Sequence, residues 1–175
     1  MTRALLLFAI SLILRGQAPC TPSAELKRLV DADQKDREPD SIDWQTVGPR
    51  DAERRTRVKE IVNSGVPLCA EDLSSAALVL QHGDKPDDFL LAHVLASAAV
   101  VNGDKDARWL SAAALDRYLQ SMEKAQIFGT QYRKKDSGPW NQDPFDTKLV
   151  PPQVREIFKV PALDKQQRQL KEMNR

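Results

Sequence analysis

The chain has few of the features that mark nucleic-acid-binding or membrane-spanning proteins. Aromatic residues make up only 6% of its 175 residues, and 26 basic residues nearly balance 25 acidic ones. We therefore expect neither a base-stacking surface nor a basic patch, and no nucleic-acid partner. The hydrophobic run at residues 4–14 is too short to cross a bilayer, which needs about 20 residues.

Signatures of common catalytic and metal sites are also missing. The two histidines and two cysteines have no spacing typical of a zinc site. There is no Gly-x-Ser-x-Gly motif, and Phe128-Gly129-Thr130 lacks the lysine and the spacing of a phosphate-binding loop. Cys69 has no basic neighbour that would mark a nucleophile. We expect no metal site and no cofactor, and whether the protein is an enzyme stays open at this stage.

The N-terminus has the pattern of a secretory signal peptide. Arg3 precedes the hydrophobic run, and the small residues Gly16 and Ala18 follow it. We expect residues 1–18 to be a leader, and the protein to be periplasmic or secreted with no stable membrane span after cleavage. Cys20 leaves a lipid anchor as an alternative, although the residues before it form a poor lipobox.

Cleavage after residue 18 would retain both cysteines, Cys20 and Cys69. In an oxidising compartment they could form one disulfide, which would close a loop of about 50 residues. On the loop-entropy model, such a cross-link stabilises a fold by about 4 kcal/mol. The pairing is a hypothesis that rests on the expected compartment and the even cysteine count.

Hydrophobic periodicity and helix-end residues predict an all-α fold with one helical domain at residues 24–132. The expected core helices are 24–36, 49–64, 70–82, 86–102 and 107–122. The last two should form a central hairpin, and an irregular, proline-rich extension with short helices should follow at residues 133–175. Trp44 is expected to anchor the loop before the second helix. The arginines and the lysine of that helix are interpreted as its solvent-exposed face.

Polar residues concentrate between Leu80 and Gln131, where their neighbours are apolar. They comprise Gln81-His82-Gly83-Asp84, Asp116-Arg117 and Gln126-Ile127-Phe128-Gly129-Thr130-Gln131. Antiparallel packing of the central hairpin predicts that His93 faces Asp116. It also predicts that His82, Asp84 and the segment 126–131 meet at one end of the bundle.

Two functional hypotheses follow from these residues. In the first, the protein binds a partner or has a structural role in the cell envelope, and its polar residues brace the fold. In that case His82 supports a helix end or a loop, and Asp116 caps the Gly129-Thr130 turn or pairs with an arginine.

In the alternative, the protein is a hydrolase or another general acid–base enzyme. His82 would be its acid or base, with Asp116 as orienter and Arg117 as anion ligand. Candidate binding residues would be Gln81, Gln126, Thr130 and Gln131. A third hypothesis is an adaptor that binds a peptide on the arginine-rich second helix.

The three polar segments, in this order, resemble a bacterial family of uncharacterised all-helical proteins. The family's recurring motifs are Gln-His, Asp-Arg and Gln-x-x-Gly-Thr-Gln, and the resemblance covers residues 60–132. It implies a helical domain with a polar cluster, but it implies no activity. The positions it singles out are Gln81, His82, Asp116, Arg117, Gln126, Gly129, Thr130 and Gln131.

Overall fold

A computed structural model describes residues 20–175, and the predicted leader lies outside this range. The described chain is predominantly helical, which confirms the all-α prediction. The elements are α1 (Ala24–Lys35), α2 (Trp44–Asn63), α3 (Ala70–Leu80), α4 (Pro86–Val101), α5 (Ala107–Ser121), β1 (Arg133–Lys134), β2 (Trp140–Asn141), α6 (Pro152–Ile157) and α7 (Leu163–Met173). None of the described helices is both long enough and apolar enough to span a membrane.

The second helix begins earlier than predicted. Asp43 caps its N-terminus by accepting a hydrogen bond from the backbone N–H of Gln45 at 3.1 Å, and α2 starts at Trp44. Pro49, the predicted first helical residue, lies inside the helix instead. Trp44 is 61% exposed, so its predicted role as an aromatic anchor is wrong. The aspartate cap fixes the helix start because it satisfies backbone donors that would otherwise have no partner.

The main core lies where α3, α4 and α5 pack in sequence, with α1 and α2 against α3. Its largest buried apolar residues include Leu26, Val58, Leu80 and Leu95. The α4 helix is buried through small residues such as Ala92 and Ala96, whereas Leu90 and Val94 are exposed. α4 is therefore central between two helices but keeps one face in solvent, although its sequence is apolar nearly all round.

Part of the arginine-rich face of α2 is buried, contrary to the interpretation from sequence. Arg54 is only 7% exposed and forms ion pairs with Asp36 and Asp51. Arg37 binds Asp51 from the end of α1, at 2.7 Å. Buried charges are retained only when they are paired, and these residues are paired with one another. The network joins α1 to α2.

Cys20 and Cys69 are joined by a disulfide with a Cα–Cα distance of 5.6 Å. The bond holds the chain just before α1 against the start of α3. Asp72 reinforces the junction, because its carboxylate accepts hydrogen bonds from the backbone N–H groups of Ser23 at 2.7 Å and Cys69 at 2.9 Å.

The C-terminal part packs against α5 through a second apolar cluster. Its buried members are Ala112, Phe128, Val150 and Val160. Strands β1 and β2 form a short antiparallel hairpin, and the backbone of Trp140 in β2 exchanges hydrogen bonds with the Asn174 side chain after α7. The C-terminal segment, expected to be irregular, thus packs next to the loop that follows α5.

Candidate functional site

Asp116 organises the loop after α5. Its side chain is fully buried. One carboxylate oxygen accepts hydrogen bonds from the backbone N–H groups of Ile127 at 2.8 Å and Phe128 at 3.0 Å. The other accepts from the backbone N–H of Thr130 at 2.9 Å and from its hydroxyl at 2.7 Å. Asp116 therefore caps the Gly129-Thr130 turn, which was one of its two predicted structural roles.

Gln126 closes the loop from inside. Its amide oxygen accepts from the backbone N–H of Gln131 at 3.0 Å, and its amide nitrogen donates to the carbonyls of Gln131 and Gln142. The residue is fully buried, and its own backbone bonds to Pro144. Every polar atom of this side chain has a protein partner, which is the arrangement of a structural brace.

Three residues of the C-terminal part complete the network, and sequence reasoning missed all of them. Gln142 donates to the carbonyl of Gly129 at 2.6 Å. Gln166 donates to the carbonyls of Phe128 at 3.0 Å and Gly129 at 2.9 Å. Arg155 donates to Phe128 O at 2.9 Å and to the Gln166 side chain at 2.7 Å. They lie in polar segments, where no periodicity distinguishes a buried glutamine from a solvated one.

Gly129 is the one position of this loop where a side chain would not fit. Its φ is +67°, and a Cβ there would approach the Phe145 ring to 2.5 Å and the Gln166 side-chain oxygen to 2.9 Å. Glycine is favoured because it accepts a positive φ and allows this close approach.

His82 belongs to a different network. Its Nδ1 lies 2.9 Å from a carboxylate oxygen of Asp33 in α1, and its backbone carbonyl accepts a hydrogen bond from Arg55 at 3.4 Å. Arg55 also pairs with Asp84 at 3.3 Å. Gln81, at the end of α3, is buried beside His82. The bonds of His82 and Asp84 thus lead to α1 and α2, and those of the segment 126–131 lead to α5 and the C-terminal part.

His93 and Asp116 are not partners. The Nδ1 of His93 lies 2.9 Å from the carbonyl and 3.2 Å from the hydroxyl of Ser111, which also bonds to Ser97. His93 does face α5, as predicted, but it meets α5 about one turn before Asp116. The Asp116 carboxylate is not available to His93, because the loop 126–131 donates four hydrogen bonds to it.

Arg117 follows Asp116 but faces other surroundings. Among the described residues we find no carboxylate within ion-pair distance of it, and its Nε is buried without a hydrogen-bond partner. Burial, together with the positive charges of Arg37 and Arg133, lowers the pKa of Arg117. It lines a cavity of about 230 Å³ with Phe89, Gln120, Ser121, Gln131, Tyr132 and Arg133.

These contacts decide what the predicted residues can do chemically. Asp116 has no oxygen left for a substrate, and His82 is oriented by Asp33 rather than by Asp116. In the described part of the chain no hydrogen bond joins His82, Asp116 and Arg117 into one constellation. Of the candidate residues, Arg117 is the one with a buried side-chain atom, Nε, that lacks a hydrogen-bond partner, and Gln131 lines the same cavity.

We compared the chain with protein-family models, with curated proteins and with solved structures, and nothing matched it in any of the three comparisons. Function therefore has to be inferred from the site itself.

Proposed function

We propose that the protein is exported, acts by binding or as a structural component of the cell envelope, and catalyses no reaction through His82 and Asp116. The observation that carries this proposal is the closed network around Asp116. A carboxylate that accepts four hydrogen bonds from its own chain, with no exposed surface, cannot reach a substrate.

Export is supported by the covalent structure. A disulfide between Cys20 and Cys69 is stable in oxidising compartments and rare in a reducing cytosol. The same pairing argues against the lipid anchor, since a lipidated Cys20 thiol would not be available to Cys69. We propose a periplasmic or secreted location with no lipid attached.

Expression of the full chain in a bacterial host, followed by fractionation and intact mass spectrometry, tests this part. We expect a periplasmic species that lacks the leader and is 2 Da lighter than the reduced form, because disulfide formation removes two hydrogens. A cytosolic product with two free thiols would contradict export, and added lipid mass would restore the anchor. A Cys69→Ser variant is the control for assignment of the mass change.

The absence of acid–base chemistry is tested by unfolding measurements on the His82→Ala and Asp116→Asn variants. Both residues brace the fold in our proposal, so both variants should be less stable than wild type. Active-site residues, in contrast, are often neutral or unfavourable for stability. Wild-type stability in both variants would revive the enzyme hypothesis.

A further inference from the structure

The cavity beside Arg117 contains polar donors that the fold leaves unused. Besides the Arg117 guanidinium, the amide nitrogen of Gln120 is buried without a partner, and Gln120 is only 7% exposed. Native structures satisfy the large majority of buried donors, so two such groups in one cavity need an explanation. Both lie on α5 and face the same space.

Two other polar residues around the cavity differ from Arg117 and Gln120, because their donors have partners. Ser121 donates to the carbonyl of Tyr118 at 2.7 Å, and the Gln131 amide donates to the Thr130 hydroxyl at 3.0 Å. Both of these donors therefore already have an acceptor within the protein. Arg133 adds a second guanidinium to the lining, and no aspartate or glutamate contributes to it. The cavity therefore offers unpaired donors and positive charge without a carboxylate to balance them.

The nearest carboxylates do not neutralise Arg117. Asp116, its neighbour in sequence, is fully engaged by the loop 126–131. Arg37, whose charge reaches Arg117, is itself paired with Asp33 and Asp51. A partly buried guanidinium with a buried Nε and no counter-charge is costly for the fold, and a bound anion would lower that cost.

We propose that the cavity between α5 and β1 binds the oxyanion of a small ligand, a carboxylate or a phosphate, through Arg117, Gln120 and Arg133. The planar guanidinium fork matches both groups. A volume of about 230 Å³ lies below the range of about 300–1,000 Å³ typical of drug-sized ligands, so the ligand is small. Phe89 and Tyr132 supply an apolar wall for its uncharged part.

This inference deepens the proposed binding function and rests on it, but the two fail separately, because fractionation tests export and anion titration tests the cavity. The probes are sodium phosphate and sodium acetate, each compared with sodium chloride at equal ionic strength. The readouts are the thermal midpoint of the purified mature chain and the dissociation constant from calorimetry. A ligand that binds only the folded state raises the midpoint with its concentration.

We expect phosphate, acetate or both to raise the midpoint of the wild type above its value in chloride. The anion that raises the midpoint more identifies the oxyanion class of the ligand. Arg117→Met keeps the side-chain packing but removes the charge. It should raise the midpoint in chloride by at least about 2 °C, because an unpaired buried charge is relieved, and it should weaken anion binding at least about tenfold. The exposed Arg28→Met is the matched control and should change neither value.

Gln120→Leu keeps the experiment decisive if Arg117→Met fails to fold. It removes the second unpaired donor, and we expect weaker binding with no loss of stability. The proposal is overturned if the wild type responds to neither anion beyond chloride. It is equally overturned if the Arg117→Met variant, or Gln120→Leu in its place, binds the anion as tightly as the wild type.

Discussion

Replacement of Asp116 is the sharpest test of the structural role assigned to the central network. In Asp116→Ala, three backbone N–H groups and one hydroxyl lose their acceptor. An unsatisfied buried donor costs about 1–3 kcal/mol, but the Thr130 hydroxyl can rotate and the partly exposed amides can bind water. We expect a loss of about 3–5 kcal/mol, which is also typical of breaking a buried charged interaction.

The Asp116→Asn variant tests the two carboxylate oxygens individually, because it keeps one as an acceptor and replaces the other with an NH2 group. The amide oxygen can still accept from Ile127 and Phe128, whereas the new NH2 group faces the N–H of Thr130. We therefore expect a smaller loss, about 1–3 kcal/mol, because only one side of the cap is broken. The order of the two losses follows from the geometry and does not depend on their absolute size.

Urea unfolding followed by circular dichroism gives both free energies, with the m-value as a check that the transition is unchanged. Asp40→Asn, at an exposed aspartate in the bend between α1 and α2, is the matched control and should lie within about 0.5 kcal/mol of wild type. If Asp116→Asn stayed within that same margin, the loop would not depend on the carboxylate, and our account of the site would be refuted.

Three further predictions concern the other polar elements. His82→Ala should lose about 1–3 kcal/mol in urea unfolding, because Asp33 loses its imidazole partner; an unchanged value would show that the contact contributes nothing. Gly129→Ala should lower the thermal midpoint by several degrees, since the new methyl would combine a positive φ with a clash against Phe145, and an equal midpoint would contradict that packing. Burial raises the pKa of Asp51, but hydrogen bonds and charges from two arginines outweigh it and leave the pKa below its ordinary value. The stability that this carboxylate contributes is therefore complete above about pH 4 and is lost as the pH falls through the lower, folded-state pKa, so wild-type stability should fall more steeply below pH 4 than that of Asp51→Asn.

Helix positions were predictable because local chemistry decides them. Pro86 with two following aspartates opens α4, and Ser23 caps α1 as expected. The error at the start of α2 has a local cause too, since Asp43 is a stronger start than Pro49. Hydrophobic periodicity could not show that Arg54 is buried. Its burial depends on an ion pair with Asp36, which lies at the end of another helix, α1.

The candidate site was only partly predictable. That Asp116 caps the turn after α5 could be anticipated, because a carboxylate within an apolar helix needs donors and the glycine-containing loop supplies them. His82 and the segment 126–131 were expected to meet, but their hydrogen bonds lead to different elements. Gln142, Gln166 and Arg155 could not be identified, because they donate mainly to main-chain carbonyls, which any side-chain donor could bind.

By itself, the sequence determined the helical class and most helix ends, because caps, glycines and apolar periodicity act over a few residues. Only the tertiary structure decided which polar groups are satisfied and which are not. Asp116 and Arg117 are adjacent in sequence, yet the loop 126–131 fills every acceptor site of Asp116, whereas Arg117 faces a cavity with no carboxylate in its lining. Hydrogen-bond satisfaction depends on distant segments, and on this difference rests our proposal that Asp116 braces the fold while Arg117 binds a ligand.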